Sequence, residues 1–138
     1  MRLDRQGLMD TAAWKKAGYH VPDYDRDAMA EATKQNPAWI HFGAGNIFRA
    51  FQANLMQQLM ETGKSQTGLI VAEGFDYEII EKMYRPHDDY SILVTLKSSG
   101  EVEKTVIGSI VESLILDSEN DGEFSRLQEI FAAPSLQM

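Results

Sequence analysis

The stretch Ala38-Trp39-Ile40-His41-Phe42-Gly43-Ala44-Gly45-Asn46-Ile47-Phe48-Arg49-Ala50 decides how the rest of the chain is read. Its first five residues are mostly aromatic or β-branched and lie between Pro37 and Gly43, the composition of a short buried strand. From Asn46 to Glu61 the apolar residues Ile47, Phe51, Leu55 and Leu59 recur every four, and Phe48 and Ala50 widen the stripe. That spacing predicts one long amphipathic helix with the stripe in the core and Gln52, Gln57 and Gln58 away from its centre. Gly63 is a natural helix stop. The apolar run Gly68-Leu69-Ile70-Val71-Ala72 follows one loop later. Strand, helix and strand make a βαβ unit, whose default topology is a parallel pair with a right-handed crossover.

The glycine pair Gly43-Ala44-Gly45 falls at the joint between the first strand and the helix. Glycine there permits a tight turn and close approach of the backbone to a ligand. The helix behind it, opening with Asn46, Ile47, Phe48 and Arg49, offers unpaired N–H groups and a partial positive charge to an anion. In a dinucleotide-binding fold that anion is the cofactor pyrophosphate. The third glycine of the usual fingerprint is replaced by Phe48, so the helix is expected to be shifted or more widely spaced. A purely structural strand–helix turn accounts for a G-x-G pair about as well as a cofactor does. Arg49, in the first turn of the helix, suits a phosphate or a neighbouring carboxylate.

An acidic residue at the end of the second strand would accept hydrogen bonds from the ribose. Glu73 lies 28 positions beyond Gly45, against about 20 in the usual fingerprint, and Asp76 follows in the same loop. Asp76 equally suits the cap of a helix starting at Tyr77, which would leave the ribose to Glu73. A carboxylate here repels a 2′-phosphate and so favours NAD over NADP.

Outward from this unit, Asp10-Thr11 caps a short helix over Ala12–Ala17, and Asp25-Arg26-Asp27 opens a second that ends at Asn36-Pro37. Residues 1–37 therefore read as a helical preface and 38–138 as the main domain. Beyond the βαβ unit, Asp76–Tyr84 is helical and is stopped by Pro86. Tyr90–Leu96 and Val102–Ile107 flank the turn residues Ser98-Ser99-Gly100-Glu101, which predicts an antiparallel hairpin extended by Ile110–Leu116. Phe124, Leu127, Ile130 and Phe131 mark a last helix, and Ser135-Leu136-Gln137-Met138 opens a further strand.

The chain has 138 residues, 43% hydrophobic and 25% charged, which suits one globular domain. Its formal charge of −8 has the wrong sign for a phosphate-backbone binder, so nucleic acid is not an expected partner. No apolar run approaches the roughly 18 residues of a membrane span, and no signal-peptide h-region follows Met1. There is no cysteine, which excludes disulfides, thiolate nucleophiles and sulfur-ligated zinc and suits a reducing cytoplasm. His20, His41 and His87 have no metal-ligand spacing, and no metal is expected. His41 reads as a packed, hydrogen-bonded strand residue, and Asp88-Asp89 as a solvated loop, because adjacent side chains in extended backbone point apart.

Taken together, Trp39–Gln52, Ile70-Val71-Ala72-Glu73, Tyr90-Ser91-Ile92-Leu93 and Val106–Ile110 resemble the N-terminal part of the mannitol dehydrogenase family. That family of polyol dehydrogenases includes mannitol 2-dehydrogenase, fructuronate reductase (D-mannonate oxidoreductase) and tagaturonate reductase. The resemblance spans most of residues 38–138, and the family tolerates a residue other than glycine where Phe48 stands. It implies an α/β, Rossmann-type dinucleotide-binding domain with an inserted β-hairpin, cut off before a helical C-terminal domain. It implies NAD as cofactor and metal-independent hydride transfer to or from a sugar alcohol or sugar acid. Gly43, Ala44, Gly45, Asn46, Ile47, Phe48 and Arg49 match the cofactor loop, and Glu73 and Asp76 the region that meets the adenosine ribose. The family's catalytic lysine lies in its C-terminal domain. None of Lys82, Lys97 or Lys104 has a matching context, so no catalytic residue is assigned. The alternative is a non-catalytic nucleotide-sensing or interaction module on the same fold.

Overall fold

The computed structural model describes residues 1–138. The first segment carries α1 (Thr11–Lys16), the two-residue strand β1 (Tyr19–His20) and α2 (Arg26–Gln35). Asp10 and Asp25 cap the two helices by accepting from the Ala13 and Ala28 N–H groups, as short acceptors do at helix starts. Then come β2 (Trp39–Phe42), α3 (Asn46–Ala50), α4 (Gln52–Glu61) and β3 (Leu69–Glu73). A turn of helix, α5 (Tyr77–Ile79), runs into a π-helical turn at Ile80–Tyr84. The chain finishes with β4 (Ser91–Leu96), β5 (Val102–Ile107), β6 (Ile110–Ile115) and α6 (Asp121–Ala132).

Two three-stranded sheets result, in the orders β2-β3-β6 and β1-β5-β4. In the first, β2 and β3 pair in parallel from Trp39↔Leu69 to Phe42↔Ala72, as the βαβ reading required. β4 and β5 form the antiparallel hairpin. The expected extension of that hairpin by Ile110–Leu116 does not occur. β6 instead leaves it and pairs in parallel with β3. The crossover is made by Gly108 and Ser109, where an added Cβ on Gly108 would come within 2.9 Å of the Tyr90 ring. Composition could not separate these outcomes, because a third hairpin strand and a buried parallel strand use the same residues.

β3 is buried on both faces. Leu69 and Val71 enter a cluster with Phe48, Ala53, Met56, Met60, Ile80 and Tyr84. Ile70 and Ala72 enter another with Ile40, Leu114, Leu127 and Ile130. Alternate residues thus meet helices on opposite sides, α4 with the π-turn on one and α6 on the other, which is why the strand is continuously apolar. The N-terminal segment packs on the hairpin, with Trp14 and Val21 against Tyr90 and Val106. The Arg26 guanidinium donates to the carbonyls of Gly108, Asp88 and Ile110 and lies 4.0 Å over the Tyr90 ring.

The helix after the glycine pair departs from its sequence reading twice. It is interrupted at Phe51 (φ −105°, ψ −73°), so α3 and α4 are two pieces. The stripe Ile47, Phe51, Leu55 and Leu59 is not core: these side chains are 80%, 60%, 46% and 42% exposed. The buried face carries Ala53, Met56, Gln57 and Met60 instead. The segment has apolar residues on two faces, and periodicity alone selected the wrong one. Gln57 enters the core because its amide replaces backbone partners. Its Nε2 donates to Val106 O (2.9 Å), and its Oε1 accepts from Gly108 N–H (2.7 Å) at the sheet crossover.

Past α6 the backbone returns to the open edge of β2. Gln137 and Met138 N–H donate to Ala38 O, and Ile40 N–H donates to Met138 O at 2.8 Å. This is a single parallel bridge across Trp39; of the strand expected at 135–138 only Met138 reaches the sheet edge, because Pro134 and Ser135 form a turn and Leu136 N–H donates back to Ala133 O. β2 then has β3 and β6 to one side and the returning chain to the other. The order of strands reverses at β2, and the carboxyl end of β2 is a topological switch point.

Candidate functional site at the end of the first parallel strand

The switch point is occupied by Gly43-Ala44-Gly45. Gly43 takes φ +105°, a left-handed value that side chains rarely adopt, and its N–H donates to Ala72 O at 2.8 Å. A Cβ placed on Gly43 or on Gly45 would meet no other atom within 4 Å, so the turn faces open space at both positions. Gly45 starts α3, whose first amides have no intrahelical acceptor.

Ala44, between the glycines, is completely buried, and both of its backbone groups are held by side chains. Its N–H donates to Glu73 Oε2 at 2.8 Å, and its carbonyl accepts from Tyr84 Oη at 3.0 Å. Glu73 Oε1 accepts from Phe75 N–H (2.9 Å) and Asp76 N–H (3.3 Å). One carboxylate at the end of β3 therefore fixes both the glycine turn and the loop beside it. Partial burial pushes this carboxyl up, but the N–H groups of Ala44, Phe75, Asp76 and Gly74 outweigh it, and the group stays below its ordinary value. Tyr84 was not legible from sequence, since 40 positions separate it from Ala44 and no spacing links them. Burial pushes its phenol up, so it remains a donor.

Phe48 is buried and its ring stacks on the His41 imidazole, with centroids 4.0 Å apart and planes inclined by 2°. The bulk at the missing third glycine is thus taken up by a ring pair between strand and helix. Burial pushes the His41 imidazole below its ordinary value. The Arg49 guanidinium contacts Asn46 Oδ1 and lies 5.5 Å over the Tyr84 ring. Its Nε is buried without a partner. Asn46 and Ile47 are exposed at the start of α3.

Asp76 is exposed and precedes α5, but its side chain makes no capping hydrogen bond. The capping alternative is therefore set aside, since Glu73 has taken the amide work of this loop. Asp88 and Asp89 do not form a solvated pair. Both adopt left-handed backbone (φ 49° and 63°); Asp88 accepts from Arg5 N–H, while Asp89 accepts from the buried-side hydroxyl of Ser113 at 2.6 Å. Lys82 pairs with Glu78, Lys97 with Glu101 and Glu103, and Lys104 Nζ donates to Ala17 O, so each is committed away from the turn.

A doubly wound α/β sheet with a braced glycine turn at its switch point defines the class: a Rossmann-type α/β fold, with a hairpin inserted before its third parallel strand. No family model matches the chain. Over all 138 residues it is 48% identical to D-mannonate oxidoreductase from Thermotoga maritima, covering 25% of that protein. Its fold is similar to that of mannitol 2-dehydrogenase from Pseudomonas fluorescens, solved as a ternary complex with NAD and D-mannitol. The TM-score is 0.75 at 21% identity, over 99% of this chain and 25% of that one. D-Sorbitol dehydrogenase in substrate-free form gives a TM-score of 0.69 at 22% identity, over 87% of this chain and 23% of that one. The resemblance to the N-terminal part of the mannitol dehydrogenase family is thereby borne out, and the chain spans about a quarter of the length of the relatives it matches.

Proposed function

We infer that this chain is the NAD-binding portion of an oxidoreductase that moves hydride between NAD(H) and a sugar alcohol or hexuronate-derived sugar acid, of the D-mannonate/fructuronate or mannitol/fructose type. The observation that carries the reading is the open glycine turn at the switch point, held by Glu73 and Tyr84, in a chain 48% identical throughout to a D-mannonate oxidoreductase. The residues present fit a dinucleotide. The Gly43 and Gly45 positions leave the backbone accessible where a side chain would fill the cradle. The amides of Asn46, Ile47 and Phe48 and the Arg49 guanidinium supply donors and positive charge for a pyrophosphate.

Glu73 holds the shape of the turn, with its oxygens already accepting three N–H groups. Asp76, exposed and uncommitted, is then the better acceptor for the ribose hydroxyls, and its charge disfavours a 2′-phosphate. A dinucleotide held by this turn would supply the hydride chemistry through its nicotinamide. The chain itself binds and orients; Lys82, Lys97 and Lys104 are engaged away from the turn, and no residue of the chain is assigned to proton transfer at the substrate oxygen. A cytoplasmic setting, where NAD(H) is held, belongs to the same reading.

Cofactor fluorescence and saturation-transfer NMR test it. NADH should bind the chain in preference to NADPH, and Gly45→Val should abolish the signal. No response to millimolar NADH from folded protein counts against the reading.

A further inference from the structure

Phe75 is the most exposed of the large apolar side chains, at 96%. No local structural role explains it. It sits just before the residue that opens α5, where an apolar side chain ordinarily staples onto the first turns of the helix, yet an exposure of 96% leaves no such contact. Its backbone is nevertheless fixed. Phe75 N–H donates to Glu73 Oε1, and Leu116 N–H donates to Glu73 O at 2.8 Å. Gly74 lies so close to Leu116 that an added Cβ would sit 3.3 Å from Cδ2. The same Glu73 carboxylate holds the Ala44 amide of the glycine turn. An exposed aromatic side chain on an anchored backbone therefore stands just past the carboxyl end of β3, in the loop that follows it, with the partly buried Leu116 of the next strand end adjoining Gly74.

We propose that Phe75 is the stacking platform for the adenine of the dinucleotide, on the loop that packs against Leu116. This rests on the NAD-binding reading and goes further by naming the residue that holds the purine. An aromatic face attracts a base by stacking, and needs no hydrogen-bond partner to do so. Placement beyond Glu73 puts Phe75 in the same exposed loop as Asp76, the residue assigned to the ribose.

The test titrates the chain with NADH, with AMP and with reduced nicotinamide mononucleotide, which lacks the adenosine. Phe75→Ala should weaken NADH and AMP by the same factor, about five- to a hundredfold, and leave the mononucleotide unchanged. Phe75→Tyr should retain binding. Unchanged AMP affinity in Phe75→Ala overturns the proposal while leaving the NAD reading intact, and so does equal weakening of the mononucleotide, which would mark a collapsed loop. If the parent chain binds none of the three, the NAD reading itself fails and this inference falls with it.

Discussion

Replacing Glu73 by Gln keeps the shape of the side chain but removes its charge and exchanges one of the two acceptor oxygens that tie the glycine turn to the loop after β3 for an NH2 donor. Three N–H groups lose a carboxylate: Ala44 at 2.8 Å, Phe75 at 2.9 Å and Asp76 at 3.3 Å. They do not count equally. The Phe75 and Asp76 amides lie in an exposed loop and turn to water at little cost. Ala44 is fully buried, and the glutamine would have to present its single carbonyl oxygen there or set its own NH2 against the N–H. Hydrogen bonds to a charged acceptor contribute roughly 1.5–3 kcal/mol, so the loss should be about 2 kcal/mol, nearly all from Ala44. For a chain of this length that lowers Tm by about 6–8 °C. The pH dependence follows from the lowered Glu73 pKa. A carboxyl held below its ordinary 4.5 stabilises the fold fully above that value and loses the contribution as pH falls through the folded value. Urea denaturation of both proteins at pH 7 and again below pH 4 measures it. The gap should be about 2 kcal/mol at neutral pH and should close in acid. A gap under about 0.5 kcal/mol at pH 7, or one that persists unchanged in acid, refutes the brace.

Other substitutions separate binding from folding. Gly45→Ala should leave thermal stability within about 0.5 kcal/mol of the parent, since its Cβ meets nothing, while weakening NADH in fluorescence titration. Gly43→Ala, at φ +105°, should cost about 1–3 kcal/mol in urea melts. Gln57→Leu leaves the buried Gly108 N–H without its acceptor and should destabilise by about 2–4 kcal/mol, whereas Leu59→Asp on the exposed face should change stability little; denaturant midpoints for the pair would show whether the buried face of α4 is correctly assigned. Burial pushes the Asp89 carboxyl above its ordinary value, so folding disfavours its charged form. Asp89→Asn, which keeps an acceptor for Ser113 and suits left-handed backbone, should raise Tm at pH 7–8, with the advantage vanishing in acid, where Asp89 is protonated in both states.

The strand at Trp39–Phe42, the glycine turn and the parallel partner at Leu69–Glu73 were legible in sequence because local composition and turn chemistry specify them over a few residues. Of the strand read at Ser135–Met138 only the bridge at Met138 forms, since Pro134 and Ser135 turn the chain first. The path of Ile110–Ile115 was not, since its residues suit either sheet, and only the packing of Gly108 and Ser109 against Gln57 and Ala53 carries it across. The faces of α3 and α4 were misread because a segment with two apolar faces has no preferred side until a sheet is placed beneath it. At the site, sequence supplied both carboxylates but could not divide their roles. The division comes from tertiary geometry, which aims Glu73 at three amides and leaves Asp76 free. Tyr84, which closes the brace from below, enters through a side-chain hydrogen bond across 40 positions. What the sequence determined by itself is therefore a strand, a glycine turn and a βαβ unit, because each depends on neighbours in the chain. The open cradle, its brace and the exposed ring of Phe75 were decided by the fold, because each depends on residues that meet only once the sheet has formed.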